Sequence, residues 1–325
     1  MKGLTLGSRK SPLAMAQSWF VQRALSHAHN LPVGSFGIAG FTTTGDRILD
    51  RSLQDAGGKG LFTKELDDAL LEGRIDAAVH SMKDLPTKLP KGLALVCVPA
   101  REDPRDVLIS RRAVTLADLP SGATIGSASL RRQAQALNMR PDLRVQVLRG
   151  SVATRIQRVM DGDVDATFLA AAGLNRLGLQ EHAAVIISTD SMLPAVGQGA
   201  IAIVCRGDDM RTRDLLAPLD VADARIATAA ERAFLEVLDG SCRTPIAGHA
   251  SIKDRQLRLD GEVLTPDGRN RWRGHESVFL MGDPLGAAVA LGRKLGLHLR
   301  AQAGSMHASI VDSRPDNWIK STASR

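Results

Sequence analysis

Short apolar runs alternate with amphipathic stretches through the first two-thirds of the chain, the pattern of an α/β fold in which helices cover a mostly parallel sheet. Strand-like runs fall at residues 4–6, 36–41, 75–80, 93–98, 107–109, 124–126, 145–148, 166–169, 185–187 and 200–205. Two stretches break the alternation, residues 99–104 and the run Leu193-Pro194-Ala195-Val196-Gly197-Gln198-Gly199, and both read as crossings between lobes. The chain should leave the first lobe at one crossing, build a second lobe, and return at the other to add residues 200–205 to the first sheet. After Ala217-Pro218 the pattern changes to a helix over 222–238, strands over 246–252, 257–264 and 271–279, and a helix over 284–303. The expected division is therefore 1–99 with 200–217, 100–199 including the hinge segments, an α+β unit over 218–304, and a disordered tail over 305–325.

Composition narrows the class. At 325 residues with 44% apolar content, the chain exceeds one ordinary core and can fold unaided. No apolar run approaches the roughly 20 residues of a membrane span, and the N-terminus lacks a secretory pattern, so the expectation is a cytoplasmic protein without a membrane partner. A formal charge of +7, carried mostly by arginine, points to acidic partners. Nucleic acid is disfavoured, because aromatics make up 3% of residues, tyrosine is absent, and arginines alternate with acids rather than forming a stripe. Small anion pockets suit that pattern better. Three cysteines without a C-x-x-C spacing argue against a disulfide frame or a zinc site. Cys97 and Cys205 lie in apolar runs, whereas Cys242 sits between Asp239-Gly240-Ser241 and Arg243-Thr244-Pro245, in a loop beside a cation that favours thiolate.

The chemistry concentrates around Val79-His80-Ser81-Met82-Lys83-Asp84-Leu85-Pro86, where a short apolar strand ends in an adjacent cation and anion. Such a pair is costly to hold in a buried place, although a surface turn would show the same residues. His80, at the strand end, reads as a hydrogen-bonded structural residue rather than a proton shuttle. Helix starts add to this. A cation at a helix N-terminus is unfavourable by roughly 0.3–1 kcal/mol unless an anion is present. Yet cations crowd the junctions Gly7-Ser8-Arg9-Lys10-Ser11-Pro12, Gly57-Gly58-Lys59-Gly60, Gly126-Ser127-Ala128-Ser129-Leu130-Arg131-Arg132 and Arg149-Gly150-Ser151-Val152-Ala153-Thr154-Arg155. One such junction is an ordinary solvated cap; four in one chain favour a ligand with several carboxylates, held between two lobes. No G-x-G-x-x-G or Walker-type loop is present.

Taken together, Gly-Gly-Lys-Gly-Leu-Phe at 57–62, His-Ser-Met-Lys-Asp at 80–84, Arg-Glu-Asp-Pro-Arg-Asp at 101–106, Ser-Leu-Arg-Arg at 129–132, Leu-Arg-Gly at 148–150, Leu-Pro-Ala-Val-Gly-Gln-Gly at 193–199 and the Cys242 loop resemble the porphobilinogen deaminase (hydroxymethylbilane synthase) family. The resemblance implies two periplasmic-binding-protein-like lobes with mixed sheets plus a smaller α+β C-terminal domain. It implies a monomeric transferase that condenses four porphobilinogen molecules head to tail, with loss of ammonia, to hydroxymethylbilane in tetrapyrrole synthesis. It also implies a dipyrromethane cofactor bound through a thioether to Cys242. Carried over by residue, it gives Asp84 and Lys83 catalytic roles and gives Lys59, Asp84, Ser129, Arg131 and Arg132 to the cofactor. Arg9, Ser11, Phe62, Arg149, Arg155, Arg176 and Gln198 go to the substrate site. Ala128, Ser127 and Ser151-Val152-Ala153 depart from the family's usual residues, each by about one hydrogen bond, or about 0.5–1.5 kcal/mol. The competing expectation is a two-lobed anion sensor or carrier without turnover.

Overall fold

The computed structural model describes residues 3–47, 60–238 and 244–306. The chain opens with β1 (Thr5–Arg9), α1 (Pro12–His29), β2 (Gly37–Phe41), the one-turn helix α2 (Thr44–Arg47), α3 (Lys64–Leu71), β3 (Ala77–Ser81) and β4 (Leu93–Cys97). It then crosses to β5 (Asp106–Ser110), β6 (Thr124–Gly126), α4 (Leu130–Met139), β7 (Arg144–Gln146), α5 (Val152–Met160), β8 (Ala166–Ala170), α6 (Ala171–Leu177) and β9 (Val185–Ile186). The chain returns through β10 (Ile201–Arg206) and α7 (Met210–Leu216), and ends in α8 (Ala222–Val237), β11 (Ile246–Lys253), β12 (Gln256–Leu264), β13 (Arg271–Phe279) and α9 (Pro284–Ala303). α3 begins at Lys64, because Gly60, at φ +87°, makes a turn whose carbonyl takes the N–H groups of both Thr63 and Lys64. The tail expectation falls almost wholly on 307–325, outside the described residues.

Two five-stranded sheets share one topology. Their strand orders are β2-β1-β3-β10-β4 and β7-β6-β8-β5-β9. In the first, β1 runs parallel to β2 and β3, and β10 is antiparallel between β3 and β4. In the second, β6 runs parallel to β7 and β8, and β5 is antiparallel between β8 and β9. The sheets are mixed, and the single antiparallel strand inserted in each is the one fed directly by a crossing. Each hinge peptide therefore continues into the interior of a sheet, which anchors it.

Alternation along the strands builds a core on each face of the first sheet. Leu6, Val79 and Ile203 meet Val21 and Leu25 of α1, while Ala78, Ala202 and Val204 meet Leu66 and Leu70 of α3. Each buried Leu or Val contributes about 1.5–3 kcal/mol. Cys97 and Cys205 are fully buried in the first of these cores, as packing residues. In the C-terminal unit α8 and α9 pack on the antiparallel sheet β11-β12-β13 around Phe234, a side chain whose truncation to Ala costs about 3–5 kcal/mol.

The C-terminal unit touches both lobes. Arg232 of α8 donates to the carbonyls of Pro86 (2.8 Å) and Thr87 (3.0 Å) in the first lobe. Asn138 of α4 donates to Gly268 O at 2.7 Å, and Arg273 of β13 donates to Asp190 O at 2.6 Å.

Candidate active site between the lobes

Cations reach the cleft from the carboxyl ends of parallel strands in both lobes, the place where open α/β sheets hold ligands. From the first lobe come Arg9 at the end of β1, Ser11 as cap of α1, and Lys83 and Asp84 on the tight turn after β3. From the second come Ser129, Arg131 and Arg132 at the start of α4, Arg149 before α5, Arg155 on α5 and Arg176 on α6. The caps form locally as their sequence dictates: Ser11 Oγ accepts from Ala14 N, Ser129 Oγ from Arg132 N and Ser151 Oγ from Thr154 N. Pro12 stands at the first position of α1, where no N–H is needed.

The glycines of the second crossing explain how the lobes approach. Gly197 and Gly199 have φ of +74° and +87°, and a Cβ on them would lie 2.5 Å from Met82 Cγ and 2.3 Å from Glu102 O. Only glycine lets the crossing lie against both the Lys83 turn and the first crossing. Gln198 between them joins the lobes. Lys83 Nζ donates to Gln198 Oε1 at 3.5 Å, and Gln198 Nε2 donates to Pro104 O at 2.7 Å and Asp106 Oδ1 at 3.0 Å.

Asp106 organises the second-lobe cations. Fully buried at the start of β5, it accepts from Arg131 Nη1 at 2.7 Å and from Arg132 Nη2 and Nε at 2.7 and 3.1 Å. Burial alone would raise its carboxyl, but the two guanidiniums override that and hold it far below the ordinary carboxylate range. The remaining Arg132 donor goes to Phe168 O at 2.7 Å, while Arg131 Nη1 also reaches Leu193 O at 2.8 Å. Arg131 Nε is buried and finds no partner among the described residues.

Among the described residues one carboxylate serves these two guanidiniums, which leaves their surroundings with an excess of positive charge. Burial, with Arg132 nearby, pushes the Lys83 ammonium down to about 8 and Arg155 down to about 10. Among the described residues Arg155 is matched only by a 3.5 Å contact from Nε to Ser151 O. Arg149 is half-buried between β7 and α5. Arg176 is turned toward the hinge, where Nη2 donates to Gly199 O at 2.7 Å, and burial lowers its pKa. At the other end of the cleft Arg9 pairs with Asp46, stacks over Phe62 at 4.3 Å, and stands 4.0 Å from the partly exposed Asp84. His80 corrects one expectation: it is buried, but its Nε2 has no hydrogen-bond partner among the described residues. Burial, then Arg9, pushes it down to about 4, so it is neutral near pH 7.

The expected residues Lys59 and Cys242 lie outside the described residues. Two organising carboxylates were not singled out from the sequence, Asp106 and Glu231. Glu231 is fully buried on α8; it takes a two-pronged Arg101 at 2.6 and 3.2 Å and the N–H groups of Gly197 (2.6 Å) and Ala250 (2.7 Å), binding the C-terminal unit to both crossings. A glutamate on the apolar face of a helix, between Ala227, Ala230 and Phe234, was the available signal.

Fold and site together define a two-lobed protein with a hinged, cation-lined cleft suited to a ligand bearing several carboxylates. A family model described as porphobilinogen deaminase, dipyromethane cofactor binding domain, matches residues 4–214, and one described as porphobilinogen deaminase, C-terminal domain, matches residues 226–301. Porphobilinogen deaminase of Nitrobacter winogradskyi is 50% identical over 303 residues, covering 92% of this chain and 93% of that protein. The chloroplastic porphobilinogen deaminase of Oryza sativa is 49% identical over 304 residues, covering 93% of this chain and 84% of that one. A periplasmic substrate-binding protein of an ABC transporter from Coxiella burnetii superposes with a TM-score of 0.42 at 16% identity, covering 70% of this chain and 96% of that one. The chain belongs to the porphobilinogen deaminase family, and residues 4–214 are its dipyrromethane cofactor-binding domain. No helix among the described residues is long and apolar enough to cross a membrane.

Proposed function

We propose that the chain is a transferase that condenses four porphobilinogen molecules head to tail, with release of ammonia, to hydroxymethylbilane in tetrapyrrole synthesis, acting as a cytoplasmic monomer. The observation that carries this reading is the Lys83-Asp84 turn, a partly exposed carboxylate beside a cleft whose cations outnumber its anions among the described residues. An anion sensor or carrier would need the cations but has no use for that carboxylate, which would repel its ligand.

The residues fit a dipyrromethane. Arg131 Nε is an orphaned buried donor, and Lys83 and Arg155 are half-buried cations that a ligand's carboxylates would neutralise. Cys242 is the proposed attachment point, with Lys59, Lys83, Ser129, Arg131 and Arg132 holding the acidic side chains. The α8 helix that leads toward Cys242 is tied by Arg232 to the carbonyls that follow Asp84, which supports that placement. When bound, the dipyrromethane supplies the pyrrole carbon to which a new unit is joined.

The chain's own residues do the rest. Arg9, Ser11, Arg149, Arg155 and Arg176 would hold the substrate's acetate and propionate, with Phe62 and Gln198 at the edges of the site. Such fixing orients the aminomethyl carbon without immobilisation at the moment of reaction. Positive charge develops on the pyrrole as ammonia leaves, and the Asp84 carboxylate, fixed beside it, lowers the energy of that charge by about 2.7–4 kcal/mol. Incubation of the purified chain with porphobilinogen should release ammonia and form hydroxymethylbilane. Its intact mass should exceed the sequence mass by two condensed pyrrole units. Full activity at the bare sequence mass would overturn the cofactor assignment, and ligand binding without ammonia release would favour the carrier.

A further inference from the structure

The Arg9 guanidinium lies between two carboxylates and treats them differently. Nε donates to Asp46 Oδ2 at 3.2 Å and Nη2 pairs with Asp46 Oδ1, so one whole edge of the fork is engaged. Nη1, on the other edge, stands 4.0 Å from Asp84 Oδ2, beyond hydrogen-bond reach. The Phe62 ring lies 4.3 Å beneath Cζ and fixes the plane of the group.

Asp46 is held in turn. Its Oδ2 accepts from Thr43 Oγ1 at 2.7 Å and Thr43 N at 3.1 Å, and Thr43 is fully buried. Burial alone would raise the Asp46 carboxyl; the bonds from Arg9 and Thr43 override it and lower the pKa, so the group is an anion at neutral pH. Gly45 N donates to Leu61 O at 2.8 Å, and a Cβ on Gly45 would come within 2.3 Å of the Phe62 ring. A small, rigid turn thus sets one cation at a fixed distance from Asp84.

Without the Asp46 charge, the carboxylate left to Arg9 among the described residues is Asp84. A movement of roughly 1 Å would close the gap to a charge-assisted bond of about 2.8 Å. A carboxylate already bound to a guanidinium is a poorer partner for positive charge developing elsewhere. We propose that Asp46 is a positioning residue for Asp84: it grips the far edge of Arg9, leaving Nη1 for a substrate carboxylate and the Asp84 charge free for the pyrrole. This rests on the reading of Asp84 as the catalytic carboxylate.

The test is a cycle of Asp46→Asn, Arg9→Gln and the double variant, made as the cofactor-loaded enzyme, with loading checked by intact mass. The amide introduced by Asp46→Asn keeps an acceptor for Thr43, so the turn is retained. Asp46→Asn should lower kcat about 10- to 100-fold, less than outright loss of the Asp84 charge, and change KM less than about threefold. In the Arg9→Gln background the same substitution should change kcat by less than about twofold, because the cation it releases is gone. A crystal structure of Asp46→Asn should show Arg9 Nη1 against Asp84 Oδ2. An equal kcat loss in both backgrounds, or an unmoved Arg9 in that structure, overturns the proposal, because Asp46 would then act on the turn alone. Asp84→Asn run in parallel separates the two readings. If that variant turns over normally, the catalytic assignment fails, while the crystal structure still reports whether Asp46 places Arg9.

Discussion

Replacing Asp106 by Asn removes the one carboxylate that two buried guanidiniums share. The change is nearly isosteric, so its effect is electrostatic. Asn keeps one oxygen, but its NH₂ must face an arginine N–H, and the contacts of 2.7 Å to Arg131 Nη1 and Arg132 Nη2 cannot both survive. One charge-assisted bond is lost and the other loses its anion, and at about 1.5–3 kcal/mol for each the loss is roughly 3–6 kcal/mol. Breaking a buried ion pair by removing one partner costs about 3–5 kcal/mol, in the same range. At about 2–4 °C per kcal/mol, the transition that includes the second lobe should fall by roughly 6–24 °C. The sign with pH follows from the depressed carboxyl. Asp106 contributes its full stabilisation above the unfolded carboxylate value of about 3.9 and loses it as pH falls toward the folded one, so the gap between wild type and variant should narrow below about pH 4. Thermal and urea unfolding followed by circular dichroism, both in a Cys242→Ala background so that bound cofactor does not mask the change, would measure it. A loss under about 1 kcal/mol, or a gap as wide at pH 3 as at pH 7, would refute the reasoning.

Three further outcomes are expected. Cys242→Ala should abolish the mass excess and the pyrrole colour reaction, whereas Cys97→Ala and Cys205→Ala keep both, since burial pushes those thiols up to about 12 and about 11. Asp84→Asn should lower turnover by about 10²–10³ with little change in unfolding midpoint, and Asp84→Glu should retain more activity than Asn; unchanged turnover in Asn would move the catalytic role elsewhere. Lys83, pushed down to about 8, binds fewer protons folded than unfolded between about pH 8 and 10.4, so it destabilises the free enzyme below that window and the penalty fades as pH rises through it. Lys83→Met should therefore raise the unfolding midpoint at pH 7 and not at pH 10.5. In wild type kcat/KM should decline above about pH 8, a limb that Lys83→Arg moves upward.

Local features were legible in the chain because each depends on a few neighbouring residues. Apolar alternation placed the strands of both sheets. Ser11, Ser129 and Ser151 announced their helices, since a cap is a bond between residues three apart. Gly197 and Gly199 marked a crossing, because their positive φ is a property of the backbone there. The cations of the site were likewise visible as charges at helix starts where no charge of that sign should rest unaccompanied.

Their partners were not visible. Arg131 and Arg132 looked like free ligand-binding forks, yet both spend donors on Asp106, which reaches them only because β5 is inserted beside β8 and the start of α4 lies above it. Arg9 meets Asp46 across 37 residues, and Glu231 meets Arg101 across 130. Sequence by itself determined the elements, their caps and which residues could carry charge into a cleft, because those follow from backbone geometry and side-chain chemistry over a few residues. Only the tertiary structure decided which charges neutralise one another and which are left for a ligand, because Coulomb energy and burial depend on distances that the sheet order sets.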